Sequence, residues 1–173
     1  MVKGIVKEVL DCQNKLRTDP TSFVPYLESM LDNFDGKIYK TPGKIDLLTK
    51  EGAAVVKETI KFLKKVKPIQ ALSYSKALTK AAQDHAKDHE NNGISGHTGT
   101  GGSSVSERID RYCEWMGTVG ENCAYTEPKN GGQDFVIQLL VDDGVKSRGH
   151  RKNIFNDQFN YVGIAVAGHP QFK

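Results

Sequence analysis

Two histidines sit beside glycine in polar, breaker-rich stretches, Gly96-His97-Thr98 and Gly149-His150-Arg151. Core packing does not explain an imidazole in such a context, and loops held by a scaffold are where sites usually lie. Two acidic positions are equally out of place. Glu121 follows Gly120 and lies between Val119 and Cys123-Ala124, so its carboxylate is expected to be half buried. Asp142-Asp143 closes an apolar stretch, where a helix presents its negative end and disfavours an acid. Neutral imidazoles with a carboxylate can hold zinc or another divalent cation and leave a position for water. A His/Glu pair can instead act as general acid and base, with Glu121 the candidate base. The same groups can also form a satisfied polar network that fixes loops and does no chemistry. They are spread widely along the chain and form no compact metal motif.

Other chemistry finds little support. His85 and His89 are four apart on an expected helix, a spacing that can place two imidazoles on one ion. The stretch His85-Ala-Lys-Asp-His89 lacks the glutamate of a zinc-protease helix, however. The plainer reading packs His85 on the apolar face and leaves His89 at the helix end, where the dipole favours it. The chain has no Gly-x-Ser-x-Gly elbow and no Gly-x-x-x-x-Gly-Lys phosphate loop. Cys12, Cys113 and Cys123 make an odd, small set that describes no disulfide framework. Two readings stand side by side: one Cys113–Cys123 bridge with Cys12 free, or three reduced thiols.

The elements that must position these residues follow from periodicity. Residues 2–17 read as a helix with Val2, Ile5, Val6, Val9, Leu10, Gln13 and Leu16 on one stripe, stopped by Asp19-Pro20. Thr21 or Ser22 can cap a short second helix through Leu31. Residues 32–50 carry the turn formers Asn33, Asp35-Gly36 and Pro42-Gly43. A third helix is expected from Glu51 to Val66, with its lysines on a solvated face, and Pro68 ends it. Ser75 is a suitable cap for a helix that fades at Asn91-Asn92-Gly93. Residues 95–104 hold four glycines and read as loop, followed by a helix from Val105 to about Trp115. Thr118 to Tyr125 is expected to be a short strand, and Asn130-Gly131-Gly132 a break. Asp134 can cap a helix through Leu140, and Tyr161 to Ala167 is expected to be a strand. Many helices and few strands point to helices stacked on a small antiparallel sheet.

Bulk composition narrows the function classes. At 173 residues the chain fits one domain, residues 1–173, and 38% hydrophobic with 26% charged residues is ordinary for a globular protein. A net charge of +3 gives no reason to invoke nucleic acid or an acidic membrane. No apolar run approaches a membrane span. Met1-Val-Lys-Gly-Ile-Val-Lys-Glu has charges inside it and is not a signal peptide, so the protein stays inside the cell or the signal has been removed.

Five segments in order carry a family resemblance. Cys12-Gln-Asn-Lys-Leu-Arg17 with Thr18-Asp-Pro20 looks like an "HNxxR" and "RTDP" first helix, with Gln13 in place of the usual histidine. Ile69 to Tyr74 with Leu78 and Ala81-Ala-Gln-Asp-His-Ala86 is similar to the second conserved helix. Gly96-His-Thr-Gly-Thr-Gly-Gly-Ser103 looks like "GHxGxDGS", and Gly120-Glu-Asn-Cys-Ala-Tyr125 like "GENIAYG". Gly149-His-Arg-Lys-Asn-Ile-Phe155 and Phe159-Asn-Tyr-Val-Gly-Ile164 look like "GHRxNIL…FxxVGIG". The chain thus resembles the SCP/CAP superfamily (cysteine-rich secretory, antigen 5 and pathogenesis-related proteins), particularly its microbial branch, with an enlarged helical region at about residues 18–66.

The resemblance implies an α+β fold, a three-layer α-β-α sandwich around a small antiparallel sheet. The chain ends at Lys173, just past Ala167, where family members continue into another strand. It implies a cleft of two histidines and two acids, which fall on His97, Glu121, His150 and Asp143. The last follows from aligning Gln138-Leu-Leu-Val-Asp-Asp143 with "QLWVSE"; Asp143 is one methylene shorter than the usual glutamate, and Asp142 competes with it. It further implies a secreted, non-enzymatic binding module that engages lipid or protein partners. The alternative is a zinc-dependent hydrolase or protease using the same cleft.

Overall fold

The structure, a computed structural model, describes residues 4–40, 46–127 and 131–172. Val2, Pro42-Gly43 and Asn130 lie outside the described residues.

Helix α1 (Gly4–Thr18) turns Val9 and Leu16 into the core, as its stripe predicts. Asp19-Pro20 ends it, but neither Thr21 nor Ser22 caps the next helix. Pro20 opens a single 3₁₀ turn, Pro20–Phe23, and both hydroxyls bond back to Asp19. Helix α2 (Val24–Leu31) follows directly, with Pro25 in its first turn.

The turn-rich stretch that follows carries the antiparallel sheet. Strands β1 (Phe34–Asp35), β2 (Ile38–Tyr39) and β3 (Leu47–Leu48) pair in sequence order. Asp35 faces Ile38, so Gly36-Lys37 is a two-residue loop. Gly36, with φ 59°, takes the first loop position, where hairpins of this hand need a positive φ. Helix α3 (Ala53–Leu63) buries Val55, Val56, Ile60 and Leu63. Strand β4 (Ser73–Tyr74) leads into helix α4 (Lys76–Asn92), whose Ser75 cap accepts from the Leu78 amide and whose end is Gly93 at φ 62°.

Helix α5 (Val105–Asp110) stops short of Trp115. It starts where expected, on a capping box in which Ser104 and Glu107 satisfy each other's backbone amides. Residues 118–125 run without ladder partners rather than as a strand. Their backbone groups go to side chains: Gln138 bonds both the amide and the carbonyl of Tyr125, and Asn153 donates to the Glu121 carbonyl. Helix α6 (Gly132–Val141) begins before Asp134, at Gly131, with Glu8 of α1 accepting from the Gly132 amide. A Cβ on Gly132 would lie 2.4 Å from the Val9 nitrogen, so glycine lets α1 and α6 touch. Helix α7 (Gly149–Ile154) follows a short loop, and strand β5 (Tyr161–Val162) pairs parallel with β4. The strand expected over 161–167 is therefore short.

The core sits between α1, α2, α3, α6 and α7, around Leu16, Leu27, Val56, Leu63, Val136, Leu140 and Ile154. Helices with a small antiparallel sheet make this an α+β protein. The three cysteines are free thiols, and burial pushes Cys12 up to about 11. Among the described residues, no helix is long and apolar enough to cross a membrane.

Candidate functional site

Glu121 is fastened from both oxygens. His97 Nδ1 donates to Oε1 at 3.0 Å, and Arg108 Nη2 donates to Oε2 at 2.7 Å. Its side chain is 16% exposed. Gly120 brings it close to α7, since a Cβ there would meet Phe159 at 3.0 Å and Asn153 at 3.2 Å. Arg108 is buried and also donates to the carbonyls of Ser103 and His97. The capping box that starts α5 therefore aims a cation at Glu121 and ties down the His97 loop together.

The second acid is Asp142. Helix α6 ends on it in the left-handed region, φ 60°, which a short polar side chain tolerates. Its carboxylate, 1% exposed, accepts from His150 Nδ1 at 2.7 Å and from the amides of His150 and Arg151 at 3.0 and 3.3 Å. An acid that looks misplaced at the end of one helix thus sits at the amide-rich start of the next. Asp143 turns the other way: Lys50 and Glu51 amides donate to its two oxygens at 2.7 and 2.8 Å. The expectation that Asp143 joins the histidines is corrected in favour of Asp142. Adjacent residues on a tight helix-ending turn project apart, and spacing alone does not choose between them.

Arg148, also left-handed at φ 51°, locks this turn. It bonds Glu51, Glu58 and the carbonyls of Asp142 and Val145. Those contacts hold Glu51 and Glu58 down at about 2, chiefly through the Arg148 hydrogen bonds, and push Arg148 up.

The ring centres of His97 and His150 lie 6.2 Å apart. An imidazole centre sits about 3.2 Å from an ion bound at ~2.1 Å, so two rings sharing an ion have centres about 6.4 Å apart when opposed across it and about 5.2 Å apart at the tetrahedral angle, and these rings close by about 1 Å to share a tetrahedral ion. Each Nδ1 is engaged by a carboxylate, Glu121 or Asp142, so each ring keeps Nε2 for a ligand. Carboxylate–histidine pairing of this kind orients metal-binding imidazoles and raises their basicity.

His85 and His89 are both buried on α4, with ring centres 4.0 Å apart. His85 Nε2 lies 2.9 Å from the Gly96 carbonyl and 3.8 Å from Glu121. His89 is buried near the helix end, and its Nδ1 is hydrogen-bonded to Tyr125 Oη at 3.2 Å. Burial lowers its pKa. Cys123 Sγ donates to the Gly96 carbonyl at 3.4 Å. His85, Glu121 and Cys123 have ligand atoms all within 4.8 Å of one another, a group that could hold an ion.

Of the residues singled out from sequence, the structure brings together His97, Glu121 and His150. Sequence reasoning missed Arg108, which the Ser104-x-x-Glu107 signal could have placed, and the grouping of His85 with Cys123, for which no local pattern exists. A family model described as CAP, the cysteine-rich secretory protein family, matches residues 10–173, a span that includes every site residue above. Comparison with curated proteins and with solved structures returns no match.

Proposed function

This chain belongs to the cysteine-rich secretory protein (CAP) family, and we propose that it is a non-enzymatic binding module whose His97/His150 cleft takes up a divalent cation of the zinc class. One observation carries the reading: each imidazole has Nδ1 pinned by its own carboxylate and Nε2 left over, with the rings 6.2 Å apart. The ion would bridge the α4–α5 loop to the start of α7 and stiffen a surface that engages a protein or lipid partner outside the cell.

Binding is favoured over hydrolysis by how the polar groups are spent. Bound zinc would supply Lewis acidity and a nucleophilic water. A base must face the reacting water, and Glu121 is turned instead toward His97 and Arg108, each of its oxygens already accepting one hydrogen bond. Most of the glycine loop's amides are committed too, those of Gly99, Thr100 and Gly102 being bonded to Ser103, Asp88 and Gly99 rather than turned toward an oxyanion.

Calorimetric titration with zinc tests the reading. Wild type binds, and His97→Ala and His150→Ala each lose the cleft ion. Absence of binding in wild type overturns it. So does chelator-sensitive turnover of peptide or ester panels at ~1 per second or more that His150→Ala abolishes.

A further inference from the structure

We infer that His85, Cys123 and Glu121 form a second, inner metal site for a thiophilic divalent cation, zinc or cobalt, distinct from the His97/His150 cleft. The donors are one nitrogen, one sulfur and one carboxylate oxygen within 4.8 Å of one another. A tetrahedral ion with Zn–N of ~2.0 Å and Zn–S of ~2.3 Å spaces its ligand atoms about 3.3–3.8 Å apart. His85 Nε2 and Glu121 Oε1 already stand at 3.8 Å. The Gly96 carbonyl is a fourth oxygen, 2.9 Å from His85 Nε2 and 3.4 Å from the sulfur. Gly96 holds it there at φ 94°, a backbone that favours glycine.

The hydrogen bonding around His85 points to the same ion. In the metal-free chain His85 Nε2–H donates to Gly96, which leaves Nδ1 a bare acceptor; that atom is buried without a partner. Tyr125 Oη accepts from the Gly96 amide and lies 3.2 Å from His89 Nδ1, and His89 Nε2 is buried without a partner as well. The two orphaned nitrogens belong to neighbouring rings. When His85 Nε2 turns to an ion, its proton moves to Nδ1, beside the His89 ring, whose Nε2 accepts it in the tautomer that carries the His89 proton on Nδ1 and donates it to Tyr125 Oη. Metal-bound histidines characteristically donate their other N–H in this way.

Loading is balanced by one proton: Cys123–SH gives its hydrogen to solvent and binds the dication as thiolate, with no change of oxidation state. Sulfur and nitrogen ligands select against magnesium and calcium.

The test is titration of the full chain with cobalt alone, followed by competition with zinc. A thiolate-to-cobalt charge-transfer band is expected in wild type and in His150→Ala, and it is expected to vanish in Cys123→Ser while surviving in Cys12→Ser and Cys113→Ser. His89→Leu should keep the band but weaken affinity about 10–100-fold. No band in wild type, or a band that survives in Cys123→Ser, overturns the inner site. Because the wild-type and His150→Ala spectra involve no altered core residue, a Cys123→Ser chain that fails to fold does not rescue the idea. Loss of the band in His150→Ala would likewise overturn it, by showing one shared site. Failure of the cleft reading looks different, as a band with no second, His150-dependent equivalent.

Discussion

Asp142 and Asp143 are neighbours of identical chemistry with opposite expected roles, and exchanging each for asparagine separates them. Asp142→Asn keeps the volume and the left-handed backbone, φ 60°, so only charge and lone pairs change. The carboxylate now serves three donors: one oxygen takes His150 Nδ1, and the other takes the His150 and Arg151 amides. An amide offers one acceptor oxygen, so whichever way it turns its NH₂ meets an N–H. One orphaned buried donor costs about 1–3 kcal/mol. For a chain of this size that lowers Tm by roughly 2–12 °C. His150 also loses the group that fixes its Nδ1 proton, and zinc affinity should fall about 10–100-fold. Asp143→Asn disturbs only the Lys50 and Glu51 amides. It should cost about 1 kcal/mol of stability and leave zinc affinity within about twofold, as expected for a separate site. Calorimetric titration and thermal melts of both variants decide it. Greater loss of zinc affinity in Asp143→Asn than in Asp142→Asn, or no loss in either, refutes the reasoning.

Glu121→Gln should weaken zinc binding in the cleft about 10–100-fold while leaving the circular dichroism of the chain unchanged; unchanged affinity would show that His97 does not need its carboxylate. Arg17, fully buried, donates to the carbonyls of Gln70, Ile154, Asn156 and Phe159. Arg17→Met strands them and should cost at least about 3 kcal/mol in urea unfolding, and a loss below about 1 kcal/mol contradicts this accounting. Glu51 and Glu58 ionise at about 2 in the folded chain against an ordinary 4.5, so their contribution is complete above that value and is lost as pH falls from 4.5 toward 2. Melting temperature should therefore drop across that window in wild type and drop less in Arg148→Met, whose two glutamates have lost their main partner; equal slopes would count against the assignment.

Elements whose signals are local were legible in the sequence. The stripe of α1, the Ser75 cap, the Gly93 stop and the start of α5 all depend on residues a few positions apart, and the structure puts them where expected. Misreadings fall where distant groups decide. Residues 118–125 have a strand's composition, but Gln138 and Asn153 claim their backbone groups. The stretch after α2 was legible only as turns, because two-residue strands carry almost no periodicity. The site divides likewise. Glycine-flanked histidines and an isolated glutamate stand out in a sequence, and the structure groups His97, Glu121 and His150. Which of two adjacent aspartates faces His150 depends on a single left-handed residue. The approach of His85 to Cys123 depends on the packing of α4 against a loop more than a helix length away.

A fold with so little ladder needs other acceptors and donors at its joints, and buried arginines supply them. Arg151 donates to the carbonyls of Leu140 and Val141 at the end of α6, and reaches Glu58 and Thr59 on α3. Arg17 ties α1 to the segment after α7, and Arg108 ties α5 to the His97 loop. Guanidinium suits this work because it offers five donors in a fixed plane and stays charged. Two of these joints also carry a site residue: Arg151 sits beside His150, its carbonyl partners precede Asp142, and Arg108 meets Glu121. The groups that replace sheet hydrogen bonds therefore also set the separation of the two imidazoles. A mutation that loosens a joint should alter metal affinity without touching a ligand. Arg151→Lys, which keeps the charge but loses the planar fork, is the sharpest case: zinc affinity should fall along with stability, whereas a fall in stability alone would mean that the helix ends, not the arginines, hold the cleft in register.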